Sequence, residues 1–380
     1  MSEFDFPVGY HKFHKNQLYN FQLNRWYSSG YARFEDMKAA GQAIRTFRDW
    51  KNEMSRLAET ALSEERTLNA AFYYRAAEFY SFSDDPDKEV LYDKFISLFY
   101  KVLKRDEIER FEIPYNGTFL PAIRTLPKSA KKGTIAMHGG FDSYIEEFYS
   151  WMRYFSDHGY EVIAFEGPGQ GAALKKYGLP LNREWERPIK AVLDYFKLDD
   201  VTLLGISMGG WFCLRAAALE PRIKRVIATG HALDYLGMAP LPVQWMVKFF
   251  LHFEGFSNWS ANIKMKFMSR NSLQYWTICQ TMYITKTKTS LAALKTILQL
   301  NKQNIHAEKI KQDVLILVGK EDHFIPFKKH HSQLKALTNA KSVRERVFTK
   351  EEQAQHHCQT GNVGLALDVM TKWIKTTTLA

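Results

Sequence analysis

A chain of 380 residues, 46% hydrophobic and 24% charged, has room for a full-sized core and a second module, which excludes a small stapled domain or a disordered segment. Its net charge of +11 would suit nucleic acid or an anionic surface, but the lysines and arginines are dispersed. The densest groups are Lys128–Lys132 and the spaced lysines of Thr285–Thr289; no nucleic-acid motif lies beside them, so the excess reads as solvated surface and no nucleic-acid partner is expected.

The opening residues, MSEFDFPVGYHKFHKNQ, carry charge where a secretory signal needs an apolar centre, so no signal is read there. The first ~105 residues place apolar and aromatic side chains three and four apart, the period of helices, and Ser83–Pro86 interrupts them, with Pro86 opening the next helix. From Ile108 the period shortens. Two alternating runs flank Asn116-Gly117, a hairpin signal. Short apolar strands then follow in GTIAMHGG, EVIAFEGPGQG, VTLLGIS, IKRVIATG, DVLILVGKEDH and SVRERVFT. Helices are expected between and after them, from near Ser143, Asn182, Met208, Pro326 and Asn362. Strands alternating with helices predict an α/β fold, a mostly parallel doubly wound sheet covered on both faces. About 80 residues rich in Trp, Phe and Met separate IKRVIATG from DVLILVG, too many for a bare loop, so a helical cap is expected over 231–306. Within it Met238–Phe253 is too short to span a bilayer and is interrupted by Lys248 and His252; it reads as cap core or as an interfacial helix. The resulting division is an N-terminal helical module over 1–106 and a main domain over 107–380 that contains the insertion. Cys213, Cys279 and Cys358 are too widely spaced for a disulfide framework or a metal site and suit a reducing, cytoplasmic setting.

In GISMG, Ser207 stands between Gly205 and Gly209 where a strand gives way to a helix. Such residues make an ordinary turn, but at the third parallel strand they also describe a nucleophile elbow, with the hydroxyl exposed at the apex and the helix N-terminus facing a developing oxyanion. A serine hydroxyl needs a base and a carboxylate to orient that base, in chain order Ser, acid, His. Asp322, just past a later strand, supplies the acid, with Glu321 and Asp234 as rivals. His356 and His357 both follow the last strand, and spacing does not separate them; His323 is too close to Asp322 in sequence to serve. His138 of MHGG reads as support for an oxyanion loop, with donors from the Met208 N–H and the N–H of Gly140 or Phe141. Ser143 and Glu146 have the form of a capping box, a structural role. Glu166–Gly171, EGPGQG, matches no nucleotide-binding fingerprint and reads as a turn beside the site.

These residues resemble the α/β-hydrolase superfamily, and within it the branch of 2,6-dihydroxypseudooxynicotine hydrolase, fungal polyketide chain-shortening hydrolases of pigment synthesis and FrsA-like esterases. The matching segments are His138–Tyr149, Phe165–Gly171, Gly205–Gly210, Gly319–Pro326 and Glu351–Asn362, together with Phe21–Gly30 in the helical module. In that branch the catalytic histidine directly precedes a cysteine, which points to His357, although the glycine usual before this pair is missing from EQAQHHC. The resemblance implies a serine hydrolase acting on a small-molecule ester or on a C–C bond beside a ketone, without metal or organic cofactor. It also implies that the N-terminal helices and cap close over the serine, with Phe13, Tyr19, Phe21, Trp26, Tyr27, Trp245 and Trp259 as candidate aromatic walls. An acyltransferase using the same triad, or a receptor that no longer reacts, are the alternatives. Cap or N-terminal surfaces are where such proteins form homodimers; no residue here indicates one.

Overall fold

The computed structural model describes residues 5–103 and 108–378. The expected module boundary at 106/107 lies outside the described residues.

Five helices come first: α1 (Gln17–Ser28), α2 (Phe34–Ala43), α3 (Phe47–Ser63), α4 (Thr67–Phe79) and α5 (Asp87–Val102). Pro86 is the residue that caps α5 rather than part of it. A reciprocal capping box starts α3: the Asp49 N–H donates to Thr46 Oγ1 at 3.1 Å and the Thr46 N–H to Asp49 Oδ2 at 2.9 Å. These helices enclose their own aromatic core. Tyr31 stacks on Phe72 with ring centroids 3.5 Å apart, and the buried Trp50 donates its Nε1–H to Ala76 O at 2.6 Å. The helical layer is tied to the rest of the chain where the Ser150 N–H donates to Tyr31 Oη at 2.7 Å.

The sheet has eight strands, β1 (Glu109–Tyr115), β2 (Thr118–Thr125), β3 (Gly133–His138), β4 (Tyr160–Phe165), β5 (Val201–Ile206), β6 (Ile223–Thr229), β7 (Asp313–Gly319) and β8 (Ser342–Phe348), in the order β1-β2-β4-β3-β5-β6-β7-β8. β2 runs antiparallel to both its neighbours, and every other pair is parallel. Asn116 and Gly117 both take positive φ, 47° and 76°, as a tight hairpin with right-handed strand twist requires. β4, β5 and β7 are buried along their whole length, so they read as continuous apolar runs; edge strand β8 keeps its charges in solvent. The covering helices are α6 (Tyr149–Asp157), a short α7 (Gly171–Lys175) that the sequence did not announce, α8 (Glu186–Phe196) and α9 (Gly209–Leu219). Expected near Asn182, α8 starts four residues later, because Asn182 Oδ1 accepts the Glu184 N–H at 2.9 Å and turns the chain first.

Between β6 and β7 come α10 (Leu241–His252), α11 (Glu254–Phe267), α12 (Leu273–Thr285) and α13 (Ser290–Ile297). α12 and α13 bury Trp276, Ile284 and Leu291. α10 does not form a core, since none of its residues is buried and Trp245 is 70% exposed. It packs on α11 and the turn before it, and most of its apolar side chains, among them Leu241, Met246 and Phe249, are exposed. Helices α14 (His330–Lys335) and α15 (Val363–Thr378) complete the chain.

Candidate active site

Ser207 connects β5 to α9 in the left-handed region, with φ 60°. A non-glycine residue tolerates that conformation only where its surroundings hold it. Here the Ser207 N–H donates to Thr229 O at the end of neighbouring β6, at 2.8 Å. Gly205 is needed for a different reason: a Cβ there would lie 2.1 Å from Gly209 O, so only glycine lets α9 descend against β5.

Two loops from the same rim of the sheet meet this turn. His357 Nε2 lies 2.8 Å from Ser207 Oγ, and His357 Nδ1 lies 2.7 Å from Asp322 Oδ2. The other oxygen of Asp322 accepts the N–H groups of Phe324 and Ile325 at 2.8 and 2.9 Å, which fixes the carboxylate in plane. Positive φ at Cys358 and Gln359 turns the histidine loop inward, and Gln359 Oε1 accepts the Thr229 hydroxyl at 2.7 Å. Thr229 thus braces both the serine and histidine turns. Burial pushes Asp322 up, but the imidazole and the hydrogen bonds outweigh it and hold the carboxyl below its ordinary range. For His357 burial acts downward, while Asp322 and the Cys358 sulfur raise the imidazole well above its usual value. The rivals lie elsewhere. His356 lies tilted against Tyr10 with ring centroids 3.6 Å apart, Glu321 is exposed, and Asp234 caps its own turn by accepting the Gly237 N–H at 2.8 Å. His323 stays beside Asp322 in sequence but faces Phe21, and burial lowers it to about 4.

Opposite the serine is the loop after β3. His138 is buried and lowered to about 4 by burial; its neutral Nε2 accepts the Trp185 indole N–H at 3.2 Å. The expected capping box at Ser143 and Glu146 does not form. Ser143 Oγ accepts the Gly140 N–H three residues earlier at 3.0 Å, and Glu146 accepts the hydroxyl of Tyr100, 46 residues away, at 2.8 Å. The Gly140 N–H is therefore engaged, whereas the N–H groups of Phe141 and Met208 have no acceptor among the described residues. Gly140 sits against the elbow so closely that a Cβ would lie 2.6 Å from Met208 N. Gln170, in the EGPGQG turn, was not singled out by the sequence. It donates through Nε2 to Gly139 O at 2.7 Å and Gly140 O at 3.0 Å, which fixes that loop beside the elbow. Glu166 braces the same turn by accepting the N–H groups of Ile145 at 3.2 Å and Ala172 at 2.6 Å.

A cavity of about 420 Å³ opens beside Ser207, His357, Met208 and Phe141. Of the aromatic residues expected to line it, Phe21 and Trp26 do. Phe13 and Tyr27 instead form edge contacts with each other and with Phe34, Tyr19 stacks on Trp50, and Trp245 is in solvent. Trp259 belongs to α11, where its side chain lies outside the described ones. The wall is completed by residues that periodicity could not single out, among them Phe79, Tyr80, Trp276, Arg25 and Glu147.

Residues 129–355, more than half of the chain, match the family described as serine aminopeptidase, S33. The chain belongs to that α/β-hydrolase family. It is 30% identical to 20-hydroxy-prefusarin hydrolase FUS2 of Gibberella moniliformis over 74% of this chain and 73% of that one. It is also 30% identical to hydrolase LUC6 of Fusarium sp over 68% of this chain. The chain spans 66% of the length of LUC6 and 56% of that of hydrolase acrC of Aspergillus aculeatus. Among solved structures, 2,6-dihydroxy-pseudo-oxynicotine hydrolase superposes with a TM-score of 0.65 over 92% of this chain and 94% of its own, at 22% identity, a likeness of fold. No helix among the described residues is long and apolar enough to cross a membrane.

Proposed function

We propose that this hydrolase cleaves a small-molecule ester, or the C–C bond beside a ketone, through an acyl-enzyme on Ser207. The observation that carries the reading is the unbroken relay from Asp322 through His357 to the Ser207 hydroxyl, with contacts of 2.7 and 2.8 Å. His357 takes the hydroxyl proton as Ser207 Oγ attacks the carbonyl carbon. The N–H groups of Met208 and Phe141 receive the oxyanion, with the Gly140 N–H held by Ser143 as part of the loop's support. The imidazolium, stabilised by Asp322, gives its proton to the leaving oxygen or, in C–C cleavage, to the departing enolate carbon. Water activated by His357 then releases the acid and restores the serine. The helical module (1–106) and the insertion (231–306) serve as lid and wall over the main domain (107–380), and the enzyme works in the cytoplasm without metal or organic cofactor. Small oxygenated substrates are also what the names of FUS2 and of the oxynicotine hydrolase describe for those proteins.

A fluorophosphonate probe should form a stoichiometric adduct on Ser207, and Ser207→Ala should lose both the adduct and ester turnover. A Ser207→Ala protein with full hydrolytic activity would end the reading. Product analysis with competing alcohols and amines separates hydrolysis from acyl transfer.

A further inference from the structure

The segment Phe21–Gly30 contributes Phe21, Gln22, Arg25, Trp26 and Ser29 to the cavity beside Ser207. Among the described residues lining that cavity, Arg25 is the one lysine or arginine. A charged side chain in a wall of aromatic residues is costly unless it is paired, and here the pairing leaves donors over. The guanidinium bonds Glu147 through Nη2, while its Nη1 contact to Gln22 Oε1 is a long 3.3 Å. Its Nε has no acceptor among the described residues. The group lies 4.8 Å from the Trp26 ring centroid and 5.5 Å from that of Phe79, contacts that hold it in place without using N–H groups.

Glu147 does not depend on Arg25 alone. The wholly buried Arg75 bonds the other Glu147 oxygen through Nε at 2.5 Å and also pairs with buried Glu78. Glu78 is approached as well by Lys88 at 2.8 Å and Lys175 at 3.3 Å. Two buried carboxylates are therefore faced by four cations. Lys175 shares the exposed Glu89 at 2.9 Å, and the nearby Asp142 carboxyl, raised by burial to about 6, is a further carboxylate beside this cluster near neutral pH, so the case for Arg25 rests on its spare donors and its place in the cavity wall. Of the four cations only Arg25 reaches the cavity.

We propose that Arg25 forms an anion subsite of this cavity, so that the preferred substrate carries a carboxylate in addition to the carbonyl that Ser207 attacks. The Nε–H without an acceptor and the weakly held Nη1 are donors that a carboxylate can take, and a planar guanidinium still has N–H groups to offer while paired with Glu147, which an ammonium does less well. The proposal rests on the hydrolase reading above and names the chemical class of its substrate.

The test uses matched ester pairs: 4-nitrophenyl hemiglutarate, with its carboxylate on the acyl side, and 4-carboxyphenyl acetate, with its carboxylate on the leaving group. Each is compared with its methyl-capped counterpart. Wild type should prefer the free carboxylate in at least one pair by tenfold or more in kcat/KM, carried by KM. Arg25→Gln should erase that preference, and Arg25→Lys should retain part of it; where Arg25→Gln does not fold, Arg25→Lys carries the comparison. Absence of preference in both pairs, or an equal loss on free and capped esters in the variants, overturns the subsite while leaving the hydrolase intact. If wild type turns over no ester and takes no fluorophosphonate label, the hydrolase reading falls and the subsite falls with it.

Discussion

Replacing Asp322 by Asn is a near-isosteric change that reverses one hydrogen bond. Asp322 Oδ1 is fixed by two backbone donors, the N–H groups of Phe324 and Ile325 at 2.8 and 2.9 Å. An amide at this position must therefore keep its oxygen there, since a flipped amide would set its NH2 against both donors. Its NH2 then faces His357 Nδ1, which in the native chain lies 2.7 Å from Asp322 Oδ2. Nδ1 becomes an acceptor, the proton moves to Nε2, and Nε2 can no longer take the proton of the Ser207 hydroxyl 2.8 Å away. A wrong tautomer of this kind lowers kcat by about 10⁴, or about 5.5 kcal/mol of transition-state stabilisation. The pH dependence should change with it. Only neutral His357 is a base, and Asp322 helps hold its pKa well above the usual imidazole value, so the wild-type rate should climb with pH along a limb displaced to the alkaline side. In Asp322→Asn the lowering effect of burial loses its main opponent, and the limb of the residual activity should move towards acid. Steady-state kinetics across pH 5 to 10, with circular dichroism as a check on folding, reads both effects. Retention of activity within about tenfold of wild type, with the limb unmoved, would refute the relay.

Gly140→Ala should lower kcat by about 10²- to 10³-fold while the fold persists, because the added methyl would lie 2.6 Å from Met208 N, against the amide assigned to the oxyanion; kinetics beside a melting curve separate the two effects. Arg75→Met should destabilise the protein by about 1.5–3 kcal/mol in denaturant titration, since it removes the buried cation that Glu147 and Glu78 share and leaves Arg25 to face the first and Lys88 and Lys175 the second. Burial, and then the charge of Glu146, raise the Glu166 carboxyl above its ordinary range. A folded-state pKa above the unfolded one gives stability that is fully present below the unfolded pKa and is lost as pH rises through the folded value. The melting temperature of wild type should therefore decline across that interval, and Glu166→Gln should flatten the decline.

Local signals made the parallel strands legible, because β4, β5 and β7 are buried on both faces and their sequences are mostly apolar, with Glu161, Thr202 and Asp313 as the polar residues near their starts. The strand-to-helix turn at Ser207 was legible for a related reason, as Gly205 and Gly209 let strand and helix pack closely around it. What the sequence could not separate was decided at long range. His356 and His357 are neighbours in the chain, but one lies tilted against Tyr10 and the other reaches Ser207, a choice made by partners hundreds of residues distant. The capping pattern at Ser143 lost to contacts with Gly140 and Tyr100. Gln170 gave no signal at all, since its task depends on two carbonyls of a loop 30 residues earlier. For α10 the sequence left two readings, cap core or interfacial helix, and the exposure of its apolar side chains removes the first.

The backbone at Ser207 holds φ at 60°, a conformation that costs an ordinary L-residue about 1 kcal/mol or more and costs glycine almost nothing. Durability and chemistry thus pull in opposite directions at one position. A selection for heat resistance alone would favour replacing this serine with glycine, and its survivors would be sturdier and inert.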